Sequence, residues 1–363
     1  VSEYSVPGSG ADVSINLQGS SHKNYFYLSS EMLDQDDQTH QLNFDLSRFL
    51  QMDLSYMKFN HFLDHDPLTN QDTVTDIDAG KNNGITVEEL KAGSSIRIPS
   101  LPFVKFFTNF RTYKKKGSRQ TLTVAKNNSC SSCHINSANK RIDQSTDTIG
   151  LGFEAKIKQV AFKYEYSSQK FDEDGSAPTA DYTSFSPFPL QGVNPYGDTP
   201  DFEKDSHKVS IRSPLPFSSS IFSSYQFGKR TNRDTDEDVE FSNFSARLSK
   251  FFDRFLSCDV FYGKYTMDND IAGAYERDIE KGGLDLKTRF FKRTTGVFSY
   301  RWEEIDRENF SVSRTKKRSY GASLNTRINK NLRLHLRYKT TRVRDPFTTK
   351  NTSYAGDIVM TSL

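Results

Sequence analysis

The chain has 363 residues, of which only 34% are hydrophobic, with a mean hydropathy of -0.70; this is poor material for the two soluble cores such a length would otherwise suggest. With 49 basic and 46 acidic residues the net charge is +3, too balanced for a nucleic-acid footprint. No run approaches the ~18 consecutive apolar residues of a membrane helix, and the three cysteines, Cys130, Cys133 and Cys258, are too few for a disulfide framework.

Aromatic residues nevertheless reach 13%, with 29 Phe and 17 Tyr. Low hydropathy combined with many aromatics is expected of a β-wall whose one face meets lipid and whose other meets water, because the two faces average out in any window. The chain begins at Val1 without an initiator Met or a charged-then-apolar leader, and so reads as a processed or trimmed product, which by itself does not prove export.

In chain order, alternation of apolar and polar residues predicts strands at Val13–Leu17, Gln41–Ser47, Val104–Thr112, Thr148–Ala155, Val160–Tyr166, Lys208–Arg212, Ile221–Phe227 and Val239–Ser249. The pattern then strengthens. In Phe255–Tyr262 the residues Leu256, Cys258, Val260 and Tyr262 share a face, on which Cys258 is a small apolar filler. Gly283–Phe290 and Ser319–Ile328 alternate likewise, and Asn331–Lys339 is the clearest case: Leu332, Leu334, Leu336 and Tyr338 oppose Arg333, His335, Arg337 and Lys339.

With weaker segments added, the count is about sixteen strands, within the range of outer-membrane barrels. Soluble sandwiches also alternate, but here short turns at Lys250–Arg254, Lys292–Thr294 and Asn329–Lys330 alternate with long polar loops at Lys229–Asp238, Thr266–Lys281, Glu303–Lys317 and Thr341–Ser353. That asymmetry favours a barrel with short periplasmic turns and long outer loops. The aromatic pairs Phe251-Phe252 and Phe290-Phe291 beside the short turns fit an interfacial girdle. The expected architecture is therefore an all-β, antiparallel transmembrane barrel over 1–363, with long loops at 61–100, 125–144 and 167–206. Counting strands by parity puts the first two of these loops on the long-loop side. The chain ends without the aromatic residue often found at the end of such barrels, which leaves room for a larger barrel of which these strands are a part.

Within the second loop, Cys130-Ser131-Ser132-Cys133-His134 has the form of a c-type haem attachment site: two thiols at C-x-x-C spacing for the thioethers and a histidine placed for the iron. Neighbouring residues do not complete the four ligands of a zinc site, and the flanking Asn127-Asn128-Ser129 reads as loop rather than as the strand-to-helix turn of a thioredoxin-like pair. A loop disulfide in a diffusion porin and a thiol redox protein are the alternatives to haem c. His61 and His65, in a loop on the same side, are candidates for the distal position.

A further segment, Asp78-Ala79-Gly80-Lys81-Asn82-Asn83-Gly84-Ile85-Thr86-Val87-Glu88-Glu89, resembles a twelve-residue calcium loop with Asp78, Asn82 and Glu89 at the first, fifth and last positions. It departs from that pattern with Gly80 at the third position and Asn83 at the sixth. It leads into a short helix expected over Val87–Ala92.

The run Leu54-Ser55-Tyr56-Met57-Lys58-Phe59-Asn60-His61-Phe62-Leu63-Asp64-His65-Asp66-Pro67-Leu68, the Asp78–Leu90 segment and Cys130–His134 together resemble the MtrB/PioB-like outer-membrane porins of porin–cytochrome conduits. The resemblance spans Asp53–Gln169. It implies an insulating sheath in the bacterial outer membrane around a multihaem c-type cytochrome, which passes electrons from the periplasm to an outer-surface cytochrome or mineral. It also implies contact with outer-membrane lipid and no substrate turnover. Not all members of that group share a C-x-x-C-H, so the haem reading stands on the motif itself.

Overall fold

A computed structural model describes residues 12–362 except 34, 69–72, 77, 79–82, 128–129, 184–191, 270–275, 292, 308–313, 331 and 345–352. Among the described residues every regular element is a strand: β1 (Val13–Ser21), β2 (Asn24–Met32), β3 (Gln38–Leu46), β4 (Leu50–Leu63), β5 (Thr73–Asp76), β6 (Asn83–Arg97), β7 (Val104–Asn127), β8 (Cys130–Ile157), β9 (Val160–Glu173), β10 (Thr179–Asp181), β11 (Val193–Pro195), β12 (Phe202–Leu215), β13 (Ser219–Asn232), β14 (Glu237–Phe251), β15 (Leu256–Asn269), β16 (Arg277–Phe291), β17 (Thr294–Arg307), β18 (Arg314–Arg327), β19 (Arg333–Arg344) and β20 (Ser353–Ser362). Seventeen of them have nine residues or more, the length at which a tilted strand crosses a bilayer (~9–11 residues). This agrees with the expected strand number.

Two compact units divide the chain: 1–151 with 167–203 and 232–235, and 152–166 with 204–231 and 236–363. In the second unit β14 through β20 form an uninterrupted antiparallel meander. Its registers carry the sequence alternation across strands. Leu248 faces Val260, Val260 faces Leu284, Leu284 faces Tyr300, and Tyr300 faces Tyr320. Likewise Cys258 faces Leu286, Leu286 faces Phe298, Phe298 faces Ala322, and Ala322 faces Tyr338. One face is thus a continuous apolar sheet whose side chains stay exposed, as Val260 (45%), Phe298 (45%) and Tyr338 (43%) show. A one-residue slip in any register would turn a whole strand's apolar set to the wet side.

That apolar face has two edges. Toward the short turns it ends in Phe251, Phe252, Phe290 and Phe291, with Phe217, at 85%, the most exposed large hydrophobic residue among those described. Toward the long loops it passes Tyr262 and Trp302, whose rings lie 6.3 Å apart, and then changes to the charged row Lys264, Glu280, Glu304 and Lys316. From Gly282 to Phe290 the band runs eight residue steps along β16, roughly 27 Å at ~3.4 Å per step. This matches the ~25 Å band of an outer-membrane wall.

The first unit repeats the arrangement. Met52 faces Ser94 and Ser94 faces Thr108; Leu54 faces Ala92 and Ala92 faces Phe110; the next rows run Tyr56–Leu90–Thr112 and then Lys58–Glu88–Lys114, where charge replaces apolar surface. Three expectations fail here. The 61–100 segment is largely strand, because β6 pairs with β4 over fourteen residues, and the helix expected at Val87–Ala92 lies inside β6. The 125–144 segment is also strand rather than loop, since β7 and β8 continue on either side of residues 128–129. The third, 167–206, begins inside β9 and, among the described residues, otherwise carries only the short β10–β11 pair before β12.

The orientation of β19 predicts the cost of reversing one side chain. Leu336→Arg places a charge on the lipid face and is expected to lose about 2–4 kcal/mol, whereas Arg337→Leu on the wet face leaves assembly intact. The folded fraction of each variant in vesicles, read by heat-dependent gel mobility across a urea series, checks this; equal tolerance of the two would reverse the face assignment.

Candidate functional site

β7 and β8 are far longer than their neighbours, at 24 and 28 residues. Past the charged row at Lys114, β7 runs on from Lys115 to Asn127, thirteen residues or roughly 40 Å. β6 accompanies it only as far as Ser118. At the point of departure Gly117 takes φ +149 opposite Ile85, and a Cβ there would lie 2.0 Å from the Gly84 carbonyl oxygen, so only glycine fits. The extension is a hairpin standing beyond the apolar band.

A bare two-stranded hairpin is marginal in water, and this one is covered by its neighbours in the first unit. β5 adds in parallel to β8, Thr73 beside Ile135 and Asp76 beside Ser137. Leu68, Ala138, Ile142, Tyr182 and Tyr196 are buried, and with Val87 they make up nearly all of the buried apolar residues among those described. The Tyr182 hydroxyl shares a 2.5 Å hydrogen bond with Thr123 Oγ1. Burial, with the nearby Tyr182 and Asp78, pushes the Tyr196 phenol up. The wall therefore carries a small water-soluble cap with a core of its own.

The cap's polar groups are matched closely. Gln120 is the hub: its Oε1 accepts from Asp66 N at 2.8 Å, and its Nε2 lies 2.8 Å from Ser137 Oγ, 2.9 Å from the Asp66 carbonyl and 3.3 Å from His65 Nε2. Lys140 has no exposed surface; its Nζ donates to Glu173 Oε2 at 3.1 Å and to the Gly197 carbonyl at 2.8 Å, with Asp198 Oδ1 at 3.6 Å. Glu173 also accepts from Gln144 Nε2 at 2.6 Å and from the Asp143 and Gly175 amides. Burial alone would raise the Glu173 carboxyl, but the donors from Gln144, Lys140 and Asp143 outweigh it and hold it below its usual 4.5.

The sequence-derived candidates are distributed over this cap and the wall below it. Cys130, Cys133 and His134 occupy the first five residues of β8, immediately before the point where β5 joins it. His65 lies in the cap with both ring nitrogens near amide groups, Nδ1 at 3.5 Å from Asn83 and Nε2 at 3.3 Å from Gln120. His61 sits lower, in β4 opposite Ile85. Asp78 Oδ2 accepts the Asn139 amide at 2.7 Å. Glu89 is in β6, where Arg111 Nε and Lys91 Nζ each approach its carboxylate at 2.7 Å, and Asn82 lies outside the described residues. Asp78 and Glu89 thus serve two different parts of the unit, and no helix follows the loop. Among the described residues no group of three or more His, Cys, Asp or Glu is arranged to hold a metal. The residues that sequence reasoning missed are Gln120, Lys140 and Glu173, whose partners are 17–57 positions away and leave no local pattern.

No protein-family model and no curated protein matches the chain. Solved structures do. The open form of the ferric-catecholate import receptor Fiu from E. coli K12 superposes with a TM-score of 0.52 at 9% identity, over 93% of this chain and 66% of that one. A mutant of the ferric enterobactin receptor PfeA from Pseudomonas aeruginosa gives 0.56 at 12%, over 92% and 52%, and the RagAB peptide importer in its closed-closed state gives 0.52 at 10%, over 95% and 50%. The fold is that of an outer-membrane β-barrel. At these identities the likeness is one of fold, and the chain spans about half to two thirds of the length of these structures.

The Lys140–Glu173 pair yields a prediction about the cap. Lys140→Met leaves a buried carboxylate without its cation, a loss of about 3–5 kcal/mol, so limited proteolysis should cut the cap while the wall keeps its folded gel mobility. Acid should do the same to the parent protein. Because the folded Glu173 binds its proton less readily than the unfolded group, its contribution is full above pH 4.5 and is lost as pH falls through the depressed folded value. Hydrogen exchange at Ser137–Asp143 that is as slow in Lys140→Met as in the parent protein would refute this role.

Proposed function

We propose that the chain is the outer-membrane, porin-like wall of an electron conduit: it houses a multihaem c-type cytochrome and carries one c-type haem on Cys130, Cys133 and His134. The observation that supports this most is where the motif stands. It opens β8 at the far end of a hairpin that runs roughly 40 Å past the charged edge of the apolar band, on a cap with its own buried core. A haem attached there would sit on the long-loop side, facing an outer-surface cytochrome, while the wall excludes lipid from the cytochrome within. The resemblance of Asp53–Gln169 to porins of such conduits points the same way.

In this reading the chain turns over no substrate. When bound, the haem supplies one-electron chemistry; the protein supplies attachment, an axial nitrogen and insulation. Calcium at the Asp78 segment is not part of the proposal, because Glu89 is engaged by Arg111 and Lys91. A second reading, a barrel that imports a small ligand, is favoured by the likeness to the import receptors, and in it the cysteine pair would be a disulfide.

Covalent haem decides between them. Co-expressed with a cytochrome maturation system, the purified chain should keep a Soret band and a haem mass increment after denaturation. Cys130→Ala/Cys133→Ala should abolish both without loss of the folded barrel, and His134→Ala should retain part of the attachment with an altered ligand spectrum. Absence of covalent haem from the parent protein, with an intact Cys130–Cys133 disulfide by mass, would establish the second reading instead.

A further inference from the structure

The wet face of β16–β19 has an uneven charge. Opposite registers give three rows across the four strands: Asp285–Ser299–Gly321–Lys339, Lys287–Val297–Ser323–Arg337, and Arg289–Thr295–Asn325–His335. Within these three rows the two middle strands present small or neutral side chains, and the two outer strands, Asp285 apart, present Lys, Arg or His. Between them lies an open recess of about 320 Å³ lined by Ser299, Arg301, Gly321, Ser323, Arg337 and Lys339 among others. Three inter-strand spacings separate the basic rails, roughly 14 Å at ~4.8 Å each.

Carboxylates are nearly absent from this trough. The only one in the three rows, Asp285, is occupied by Arg301, which holds both oxygens at 2.7 and 2.6 Å. Among the described residues Lys287, Arg289, Arg333, Arg337 and Lys339 make no ion pair. Five fixed cations without an ion pair thus share the trough with one carboxylate that Arg301 already holds, in a chain whose net charge is only +3. The neighbouring wet surface is different: Arg247 is neutralised by Asp259 at 3.2 Å. Like charges crowded without counter-charges destabilise a wall unless something else supplies the opposite sign.

We propose that this trough is a carboxylate-binding site, taking carboxylates presented in multiples, with the guanidinium of Arg337 and the ammonium groups of Lys287 and Lys339 as donors. Arginine pairs with a carboxylate through two parallel N–H donors, and lysine adds a point charge that follows it. The floor of Ser319, Gly321 and Ser323 leaves room for the anion to lie against the sheet. The carboxylates come from one of two sources, a free polycarboxylate or the acidic surface of a protein enclosed by the wall. The site does not depend on haem attachment.

The test uses the full chain, folded in zwitterionic detergent, titrated calorimetrically at low salt with citrate and with an oligo-glutamate peptide. Saturable binding is expected, at least tenfold weaker in Arg337→Ser/Lys339→Ser and unchanged in Lys23→Ser/Arg48→Ser, which removes the same charge at the short turns. Gel mobility verifies folding, and Lys287→Gln on the opposite rail repeats the measurement if the double variant does not fold. Citrate binding that shows this dependence identifies a free polycarboxylate; binding of the peptide alone identifies an extended acidic surface. If neither probe saturates, or if both double variants weaken binding equally, the proposal is overturned.

Discussion

The constraint on which everything else rests is that backbone N–H and C=O groups crossing a bilayer find no water there. Each must be satisfied by a neighbouring strand, and only antiparallel ladders that run without interruption through the apolar layer achieve this. From β14 to β20 the registers do so with one irregularity, at Arg289–Phe291 beside the short turn, where the chain has reached the interface. Once the ladder is fixed, the period of two fixes which side chains meet lipid, and cross-strand register turns seven separate alternations into one surface.

The same constraint is lifted beyond the charged rows, and the structure changes there. With water on both sides, β7 and β8 need not alternate, and their stability comes from a compact core instead. Lys140, Glu173 and Gln120 satisfy groups that burial would otherwise leave orphaned. The wall is held by backbone pairing and lipid, the cap by packing and buried polar contacts.

This division explains what was legible in the sequence. Strands such as β15, β16, β18 and β19 alternate because lipid imposes it, and their short turns and aromatic edges could be read directly. β6 could not: Val87-Glu88-Glu89-Leu90-Lys91-Ala92 has the composition of a helix, and only pairing with β4 and β7 makes it a strand. Cys130–Gln144 read as loop because no lipid face marks it. His65, sensible as a distal ligand by position, is drawn into the Gln120 network by contacts made across the cap, and Lys140 had no signal at all. The rails of the trough were visible as basic residues on separate strands, but their convergence on one recess required the register.

The proposed conduit has a direction: it requires the cap to lie outside the cell and the short turns to lie in the periplasm. In a background lacking the native cysteines, single cysteines placed at Arg141, which is 70% exposed on the cap, and at Arg48, in the turn between β3 and β4, report the two sides to a membrane-impermeant maleimide. Labelling of the Arg141 position in intact cells, with the Arg48 position labelled only after the outer membrane is permeabilised, is the expected result. Labelling of the Arg48 position in intact cells while the Arg141 position stays protected would contradict it, and with it the placement of the C-x-x-C-H motif at the cell exterior.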